Sequence, residues 1–390
     1  MDDIMKPLVS VIIPVCNAER YIDRCLESIC SQSYSNIEIL LMLGICTDHS
    51  LISCARWQKK DRRILIISRK DNSLGDARNF AFHLAKGKYI VYVDADDYIE
   101  QNYIERLADP LENDEDITIS CCGFDIIGES ERIKGWVPQE SGFIPSSFDI
   151  FLNKVPYGMV WLKMYRRKWI LEHNIDMYDG CHEDDAWQIC LAATVKNVFF
   201  IPYALYHYNI DNENSLMNGK RQKRECVSAL RYAFTYLKEQ NLYTKNVDTI
   251  RKFTTNIIMS LLRNEYYEKD LVNEVMEFWK DFFPELASEL RFYTEGEKKK
   301  EQNIVIFGAG GECKKAVRRL GADKIAYIVD NDEKKDGEKI DGVLIVSFSK
   351  LLEESKPTLV LISSGKYFFE MARQLREHGI KNYMDFIEYQ

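Results

Sequence analysis

Two aspartates, Asp94 and Asp96, directly follow an apolar run at residues 89–93 and are separated by one residue. β-branched and aromatic residues fill this run without polar alternation, which predicts a strand covered on both faces inside a mostly parallel sheet. Ligands gather beyond the carboxyl ends of such strands, and an extended backbone would point both carboxylates to one side. Two oxygen anions at one place suit Mg²⁺ or Mn²⁺ holding a phosphate. A solvated acidic turn is the alternative, because aspartate is a favoured turn residue.

Length and composition limit the classes of protein to be considered. The chain has 390 residues, more than one hydrophobic core usually serves, which predicts several domains. A formal net charge of −9 and the lack of a long basic block argue against a nucleic-acid partner. The 11 cysteines include no CxxC pair, which predicts reduced thiols and a cytoplasmic protein. The N-terminal residues show no signal pattern and no apolar run is long enough to span a bilayer, so any membrane contact is expected to be peripheral.

Strand and helix signals alternate along the first hundred residues. Short apolar runs at residues 8–15, 37–43, 64–68 and 89–93 predict buried strands. Apolar residues at helical spacing follow Asn17, which is a good helix-capping residue, and a further helical segment covers residues 77–84. This alternation predicts parallel βαβ units with right-handed crossovers.

Several ordered segments carry a family resemblance. The segments VSVIIPVCNAERYIDRCLESICSQSYSNIEIL, NSLGDARN and VDADD resemble glycosyltransferase family 2, the nucleotide-sugar-dependent enzymes of the GT-A fold. Further on, WLKMYRR, HEDDAW and PYALYHY are similar to the acceptor-side half of that family. The resemblance covers about residues 8–215. It implies a Rossmann-like GT-A domain with a mostly parallel sheet, and it favours a functional site over a solvated turn for the two aspartates.

The resemblance also implies donor-side roles. Asp96 would coordinate Mn²⁺ or Mg²⁺ on the donor diphosphate, with Asp94 near the ribose or the metal. Arg78 matches a position from which a guanidinium could reach phosphate, although a salt bridge in the first turn of a helix explains it equally well. His207 matches a position near the diphosphate in some relatives, and a tyrosine-rich structural strand explains it as well. The expected donor-binding residues are Pro14, Asn17, Arg78, Asp94, Asp96 and His207, with Asp96 and Asp94 as metal ligands.

A second acidic cluster, Glu183, Asp184 and Asp185, precedes a helical stripe that starts at Ala186. By resemblance Asp184 is the catalytic base, because an acceptor hydroxyl must lose its proton as it attacks the anomeric carbon. Glu183 and Asp185 are its catalytic neighbours, and the assignment could shift by one residue. The alternative is that all three merely cap the helix and complement its dipole.

The segment after the second predicted strand departs from the family pattern. The family has an aspartate-rich turn there, of the type VDDGSTDGS, whose first acidic residues contact the nucleotide base. Here Leu43 and Gly44 stand in those two positions. This departure puts the contact with the nucleotide base, or the enzymatic activity itself, in question. Asp48 aligns with a later aspartate and is expected to be a turn or helix-cap residue.

The last part of the chain begins a new strand-turn-helix pattern. Residues 303–307 predict a strand, which leads into Gly308 and Gly310, and a later strand ends at Asp330 at the distance expected of a ribose-binding acid. This part resembles small Rossmann-like, nucleotide-sugar-binding domains. Because the glycine motif is incomplete, a bound nucleotide sugar and a purely structural or oligomerising role both remain open, and NAD is not expected as a cofactor.

We therefore expect a GT-A domain at residues 1–218, a helical segment and linker at 219–300, and a second small Rossmann-like α/β domain at 301–390. The expected function is inverting, metal-dependent transfer of a sugar from a nucleotide-sugar donor, with UDP-sugars favoured, to a hydroxyl of a bacterial surface glycan or of a lipid-linked glycan. A degenerate glycosyltransferase that binds sugars or scaffolds an assembly is the alternative, and a nucleotide-sugar oxidoreductase is less favoured. Homo-oligomerisation and peripheral contact with the inner face of the plasma membrane stay open.

Overall fold

The computed structural model describes residues 6–70, 73–128, 132–145, 147–212, 225–264, 269–284, 303–354, 358–364 and 367–385. The chain divides into two compact units, Met1–Thr249 and Ile250–Gln390. The domain boundaries predicted near residues 218 and 300 lie outside the described residues. Within the described residues, no helix is both long and apolar enough to cross a membrane.

The first unit is built on a ten-stranded sheet with the order β3-β2-β1-β4-β9-β6-β10-β5, while β7 pairs with β6 and β8 with β10. Its strands are β1 (Val9–Val15), β2 (Ile37–Leu43), β3 (Ile64–Ser68), β4 (Tyr89–Tyr92), β5 (Tyr98–Ile99), β6 (Ile117–Ile127), β7 (Arg132–Lys134), β8 (Gly142–Pro145), β9 (Lys163–Arg166) and β10 (Asn197–Asn209). Strands β3, β2, β1 and β4 are parallel, and β9 is antiparallel between β4 and β6. All four residues of β4 are buried, as their apolar run predicted.

Among the residues that the structure describes, eight α-helices lie within this unit: α1 (Ile22–Cys30), α2 (Ser50–Lys60), α3 (Leu74–Leu84), α4 (Tyr103–Asn113), α5 (Phe148–Lys154), α6 (Arg167–Glu172), α7 (Glu183–Ala192) and α8 (Cys226–Glu239). A further helix, α9 (Tyr243–Asn264), begins in this unit and ends beyond its boundary. The order of strands and helices confirms the predicted mostly parallel α/β sheet. Helix α1 buries Ile22, Cys25, Leu26 and Ile29 on one face, which is its predicted stripe.

The prediction that Asn17 caps helix α1 was wrong. Helix α1 begins at Ile22, and no side chain caps it. The Asn17 backbone is left-handed, with φ of 48°, and its side-chain oxygen accepts a hydrogen bond from the Thr47 N–H at 2.8 Å. Asn17 is therefore used to tie two loops together, a contact that helical periodicity cannot reveal.

The second unit contains a six-stranded sheet with the order β13-β14-β12-β11-β15-β16, parallel except for β13. Helix α10 (Lys269–Phe282) precedes it. The sheet region comprises β11 (Asn303–Phe307), α11 (Gly311–Leu320), β12 (Ile325–Asp330), β13 (Lys339–Ile340), β14 (Val343–Ser347), α12 (Phe348–Leu352), β15 (Thr358–Ile362), α13 (Phe368–Glu377) and β16 (Tyr383–Asp385). The parallel strands run outward in both directions from β11, which is the doubly wound order. A second α/β domain is therefore present, as predicted.

Gly75 lies where helix α3 packs closely against the chain that leads into α7. A Cβ atom at this position would lie 2.0 Å from the Tyr178 carbonyl oxygen and 3.0 Å from Glu183 Cβ. We expect Gly75→Ala to lower the free energy of unfolding by about 1–3 kcal/mol, because backbone must move to admit the methyl group. Chemical denaturation measures this change. Gly44→Ala is the matched control, since its added Cβ meets nothing nearer than 3.7 Å; equal stability of the two variants would contradict the prediction.

Candidate active site

The acidic turn after β4 is held in place from β10. Asp97 is fully buried, and it accepts hydrogen bonds from the Asn209 N–H at 2.8 Å and from the Tyr206 hydroxyl at 2.7 Å. The Tyr206 oxygen in turn accepts from the Asp94 N–H at 3.1 Å. Burial, together with the charges of Asp96 and Asp94, raises the pKa of Asp97 well above its usual value. Asp97 therefore anchors the turn, while Asp94 and Asp96 remain partly exposed.

Asp94 and Asp96 each have one carboxylate oxygen bonded to a side chain. One oxygen of Asp96 accepts from the Asn212 amide at 2.8 Å, and one oxygen of Asp94 accepts from Arg78 at 2.8 Å. Burial and the neighbouring Asp94 charge raise the pKa of Asp96, and a bound cation would offset both effects. Each carboxylate keeps a second oxygen for a ligand.

These two carboxylates fit a hard divalent cation. Mg²⁺ typically binds one or two carboxylates and takes its other ligands from water and substrate phosphate. No cluster of three or more histidine, cysteine, aspartate or glutamate side chains suited to a metal occurs in the described part of the chain. The donor set is therefore typical of a cation that arrives with a diphosphate and not of a closed, all-protein metal cage.

Arg78 joins the acidic turn to the second acidic cluster. Its guanidinium, only 2% exposed, donates to Asp94 at 2.8 Å and to Glu183 Oε1 at 2.6 Å. Burial alone would lower the pKa of Arg78, but the two carboxylates outweigh it and raise the pKa above its ordinary value. Both of these guanidinium nitrogens have protein partners, so Arg78 is neither a surface salt bridge nor a side chain projecting into solvent. It brings the predicted donor side and the predicted acceptor side into one site.

The three acidic residues at the start of α7 lie in different environments. Glu183 is buried and paired with Arg78, whereas Asp185 accepts a hydrogen bond from His182 Nδ1 at 2.9 Å. Asp184 is partly exposed, and one of its oxygens accepts the Asp185 N–H at 2.9 Å. Burial, together with the charges of Glu183 and Asp185, raises the pKa of Asp184 well above its usual value. Glu183 and Asp185 are thus each bonded to a side chain, whereas Asp184 accepts a backbone N–H.

The structure does not bring His207 to the acidic turn. Its ring is 1% exposed, stacks on Tyr98 at 4.4 Å and binds Glu100 through Nε2 at 2.8 Å. Tyr206, the preceding residue of β10, contacts the turn, and successive residues of a strand point to opposite faces. His207 therefore lies on the face of the strand opposite Tyr206, and its role near a diphosphate stays a prediction.

The remaining donor-side residues form the rim where β1 and β2 end. Pro14 pairs with Met42 across the two strands, and Leu43 is buried at 3% exposure. The Gly44 N–H binds the Val15 carbonyl at 3.0 Å. Asn17 is occupied by Thr47, as described above. No carboxylate stands at Leu43 or Gly44, so the departure from the family pattern leaves this rim uncharged at those two positions.

Asp48, which follows the rim, has a structural role. One oxygen accepts from the Ser50 N–H at 3.0 Å and its hydroxyl at 2.6 Å, and the other accepts from the Glu19 N–H at 2.9 Å. These bonds cap the start of α2 and hold the rim to the loop after β1.

In the second unit, a carboxylate at the end of β12 binds the glycine turn after β11. Asp330 Oδ2 accepts from the Ala309 N–H at 2.6 Å and from Lys335 Nζ at 3.3 Å. Gly308 has φ of 103°, a conformation that requires glycine, and Gly310 precedes helix α11. The carboxylate predicted to bind a ribose is thus used to hold the turn.

Sequence reasoning did not single out four residues that shape the first site. These are Tyr206 and Asn212, which bind the acidic turn, and Gly158 and Lys163, which lie beside Asp184 and Asp185. A lysine inside an apolar strand was a usable signal for Lys163, because lysine is almost never fully buried without a partner. The other three depend on long-range contacts that leave no local pattern.

Comparison with known proteins agrees with this geometry. Residues 10–173 match the model of glycosyl transferase family 2, and residues 300–384 match a model described as C2185-like, N-terminal. The second match leaves nucleotide-sugar binding by the second unit as a prediction.

Two curated relatives and one solved structure extend the comparison. Glycosyltransferase EpsH of Bacillus subtilis (strain 168) is 28% identical over 264 residues, which span 65% of this chain and 76% of EpsH. The poly(ribitol-phosphate) beta-glucosyltransferase of Bacillus spizizenii is 32% identical over 43% of this chain, but only 26% of that protein is covered. S. aureus TarS, solved with UDP-GlcNAc, shares the fold with a TM-score of 0.57 and 15% identity over 72% of this chain and 82% of the TarS chain.

The family match covers the residues from β1 to the end of α6, and the TarS structure has the same architecture. The predicted GT-A fold and the predicted enzyme class are thereby confirmed. Residues 10–173 are therefore similar to glycosyltransferase family 2, and the comparisons support a glycosyltransferase enzyme.

Proposed function

We propose that this enzyme moves a sugar from a nucleotide-sugar donor, with a UDP-sugar as the first choice, to a hydroxyl of a bacterial surface glycan, with inversion and with the help of a divalent cation. The observation that carries the proposal is the Arg78 bridge, which joins the turn that carries the candidate cation ligands to the start of the helix that carries the candidate base. The names of relatives support the substrate class, because one acts on poly(ribitol-phosphate) and TarS binds UDP-GlcNAc.

On the donor side, Asp96 and Asp94 would hold Mn²⁺ or Mg²⁺. When bound, such a cation stabilises the negative charge that develops on the departing nucleoside diphosphate. Asp97 and Tyr206 keep the turn that carries both carboxylates in one conformation. The chain's own contribution is therefore a rigid pair of oxygen ligands.

On the acceptor side, Asp184 would take the proton of the attacking hydroxyl. The acceptor oxygen forms a bond to the anomeric carbon while the bond from that carbon to the diphosphate oxygen breaks, and the proton moves to Asp184. Attack from the face opposite the diphosphate inverts the anomeric carbon in one step. The raised pKa of Asp184 suits this role, because a stronger base accepts a proton more readily.

A sugar-binding or scaffolding protein is the second candidate, and the uncharged rim at Leu43 and Gly44 favours it. An oxidoreductase centred on the second unit has less support, since Asp330 is bonded to the Ala309 N–H. A lipid-linked acceptor, a cytoplasmic location at the membrane surface and self-association are compatible with the proposed reaction and remain predictions.

Calorimetry with UDP-, GDP-, CDP- and dTDP-sugars in the presence of Mn²⁺ separates the first two candidates. Binding of one donor followed by its turnover with a glycan acceptor supports the enzyme. If none of the donors binds, the scaffold is favoured and the proposed transfer reaction fails.

The cation site is tested by Asp96→Asn, which removes one charge with little change of shape. We expect the transfer rate to fall about 100-fold or more, because the amide binds a hard cation poorly. The rise in melting temperature that Mn²⁺ with UDP gives the native enzyme should also be lost. Asp116→Asn is the control, since Asp116 is 74% exposed and distant in sequence from the site. Native rates and a native Mn²⁺ response in Asp96→Asn would exclude this ligand.

The base is tested by Asp184→Asn against its neighbour Asp185→Asn. We expect Asp184→Asn to lower the transfer rate by about 10²–10⁴-fold with donor affinity unchanged, as is typical for loss of a general base. The native rate should fall as the pH is lowered through the raised pKa of Asp184, because only the ionised carboxylate accepts a proton. That fall should therefore begin at a higher pH than an ordinary aspartate would give. A larger loss in Asp185→Asn would move the role by one residue.

A further inference from the structure

Lys163 is a buried cation beside the candidate base. It opens strand β9, is 1% exposed, and donates to the Pro156 carbonyl at 2.9 Å, the Met159 carbonyl at 2.8 Å and Gln188 Oε1 at 3.0 Å. These are three neutral oxygens, one for each N–H of the ammonium. A fully buried lysine that has no carboxylate within ion-pair distance among the described residues costs free energy, so its contacts call for an explanation.

The three contacts all hold one segment, residues 155–159, against helix α7. Two of the acceptors belong to the segment itself, and the third, Gln188, lies on α7 and donates to the Val155 carbonyl at 3.3 Å. Lys163 and Gln188 thus join the segment to the helix that begins with the acidic cluster.

The tip of this segment touches the acidic cluster. Gly158 has φ of 68°, and a Cβ atom there would lie 2.7 Å from Asp185 Oδ1 and 3.4 Å from Asp184 Oδ2. The backbone at Gly158 therefore forms a wall directly beside the two carboxylates. The contacts that hold residues 155–159 in place therefore also define the space through which an acceptor can reach Asp184.

The titratable groups around Lys163 lie on two elements, the Cys121 and Cys122 thiols on β6 and the Asp184 and Asp185 carboxylates on α7. Burial raises the pKa of both thiols, so they are neutral and the carboxylates supply the charge. Burial lowers the pKa of Lys163 to about 8, although the carboxylates oppose this effect. Below this pH the ammonium has three charge-assisted donors, and above it the neutral amine has two weaker ones.

We propose that Lys163 is a positioning residue for the acceptor. Its ammonium holds residues 155–159 as one wall of the acceptor pocket, with Gly158 against the Asp184 carboxylate. This inference rests on the proposed function, which supplies the acceptor. The contacts between Lys163 and residues 155–159 do not depend on any reaction.

The test compares Lys163→Met with the native enzyme. The methionine side chain has a similar length and no donors. We expect the kcat/KM for the acceptor to fall about ten-fold or more, since buried carbonyl groups lose their donor, while donor affinity stays within about two-fold. The native kcat/KM should decline above about pH 8, and this decline should be missing in Lys163→Met. Lys168→Met, at an 83% exposed lysine, is the matched control.

Hydrogen exchange of residues 155–159 in the full chain gives a readout that needs no activity. Exchange in this segment should be faster in Lys163→Met than in the native protein and in Lys168→Met. The free energy of unfolding is a poorer measure, because Lys163→Met removes both the hydrogen bonds of the ammonium and the cost of burying its charge. If the native protein shows no transfer with any donor, the proposed function fails, and exchange still decides the role of Lys163. Native exchange together with native acceptor kinetics in Lys163→Met would overturn the proposal.

If Lys163→Met does not fold, Gly158→Ala keeps the proposal testable. Its added methyl group pushes the segment away from Asp185 while Lys163 is retained. We expect weaker use of the acceptor, unchanged donor affinity and a preserved decline above about pH 8. Unaltered acceptor kinetics in Gly158→Ala would show that the segment does not shape the acceptor pocket, and the proposal would be wrong.

Discussion

The site depends on the two ion pairs that the buried Arg78 guanidinium makes. A guanidinium between Asp94 and Glu183 fixes the acidic turn after β4 relative to the start of α7. Loss of one partner from such a buried ion pair typically costs about 3–5 kcal/mol, because an uncompensated charge remains. The close packing of Gly75 belongs to the same arrangement, since it brings α3, which carries Arg78, against the chain that enters α7. The position of the candidate base therefore depends on residues far from it in the sequence.

The two sides of the site are held in different ways. On the donor side, the buried carboxylate of Asp97 and the hydroxyl of Tyr206 fix the turn through hydrogen bonds with β10. On the acceptor side, Lys163 holds a loop through carbonyl groups, and no ion pair within 4 Å is seen for it among the described residues. The proposed donor side is thus fixed by a buried carboxylate and the proposed acceptor side by a buried ammonium.

The rim at the ends of β1 and β2 has no charge at two positions. Leu43 is buried in the sheet and Gly44 has no side chain, while the Asn17 amide and the Asp48 carboxylate nearby are bonded to the protein. A nucleotide base bound at this rim would be recognised by shape and backbone contacts. Such recognition differs from recognition by carboxylates. The identity of the nucleotide base in the donor is therefore the most informative property to measure.

The sequence by itself determined the alternation of strands and helices, because burial on both faces of a parallel strand requires continuous apolar runs such as residues 89–93. Position and family resemblance also selected the candidate carboxylates, since Asp94 and Asp96 follow strand β4 and Asp184 lies in the first turn of α7. Only the tertiary structure decided which partners the predicted residues have. Asn17 binds a loop instead of capping a helix, His207 binds Glu100, and Asp330 at the end of β12 holds the glycine turn after β11. These outcomes depend on which distant residue supplies the hydrogen-bond partner. Local periodicity reports burial along one element, whereas the pairing of Arg78 with Glu183, or of Lys163 with residues 155–159, arises only when separate elements pack together.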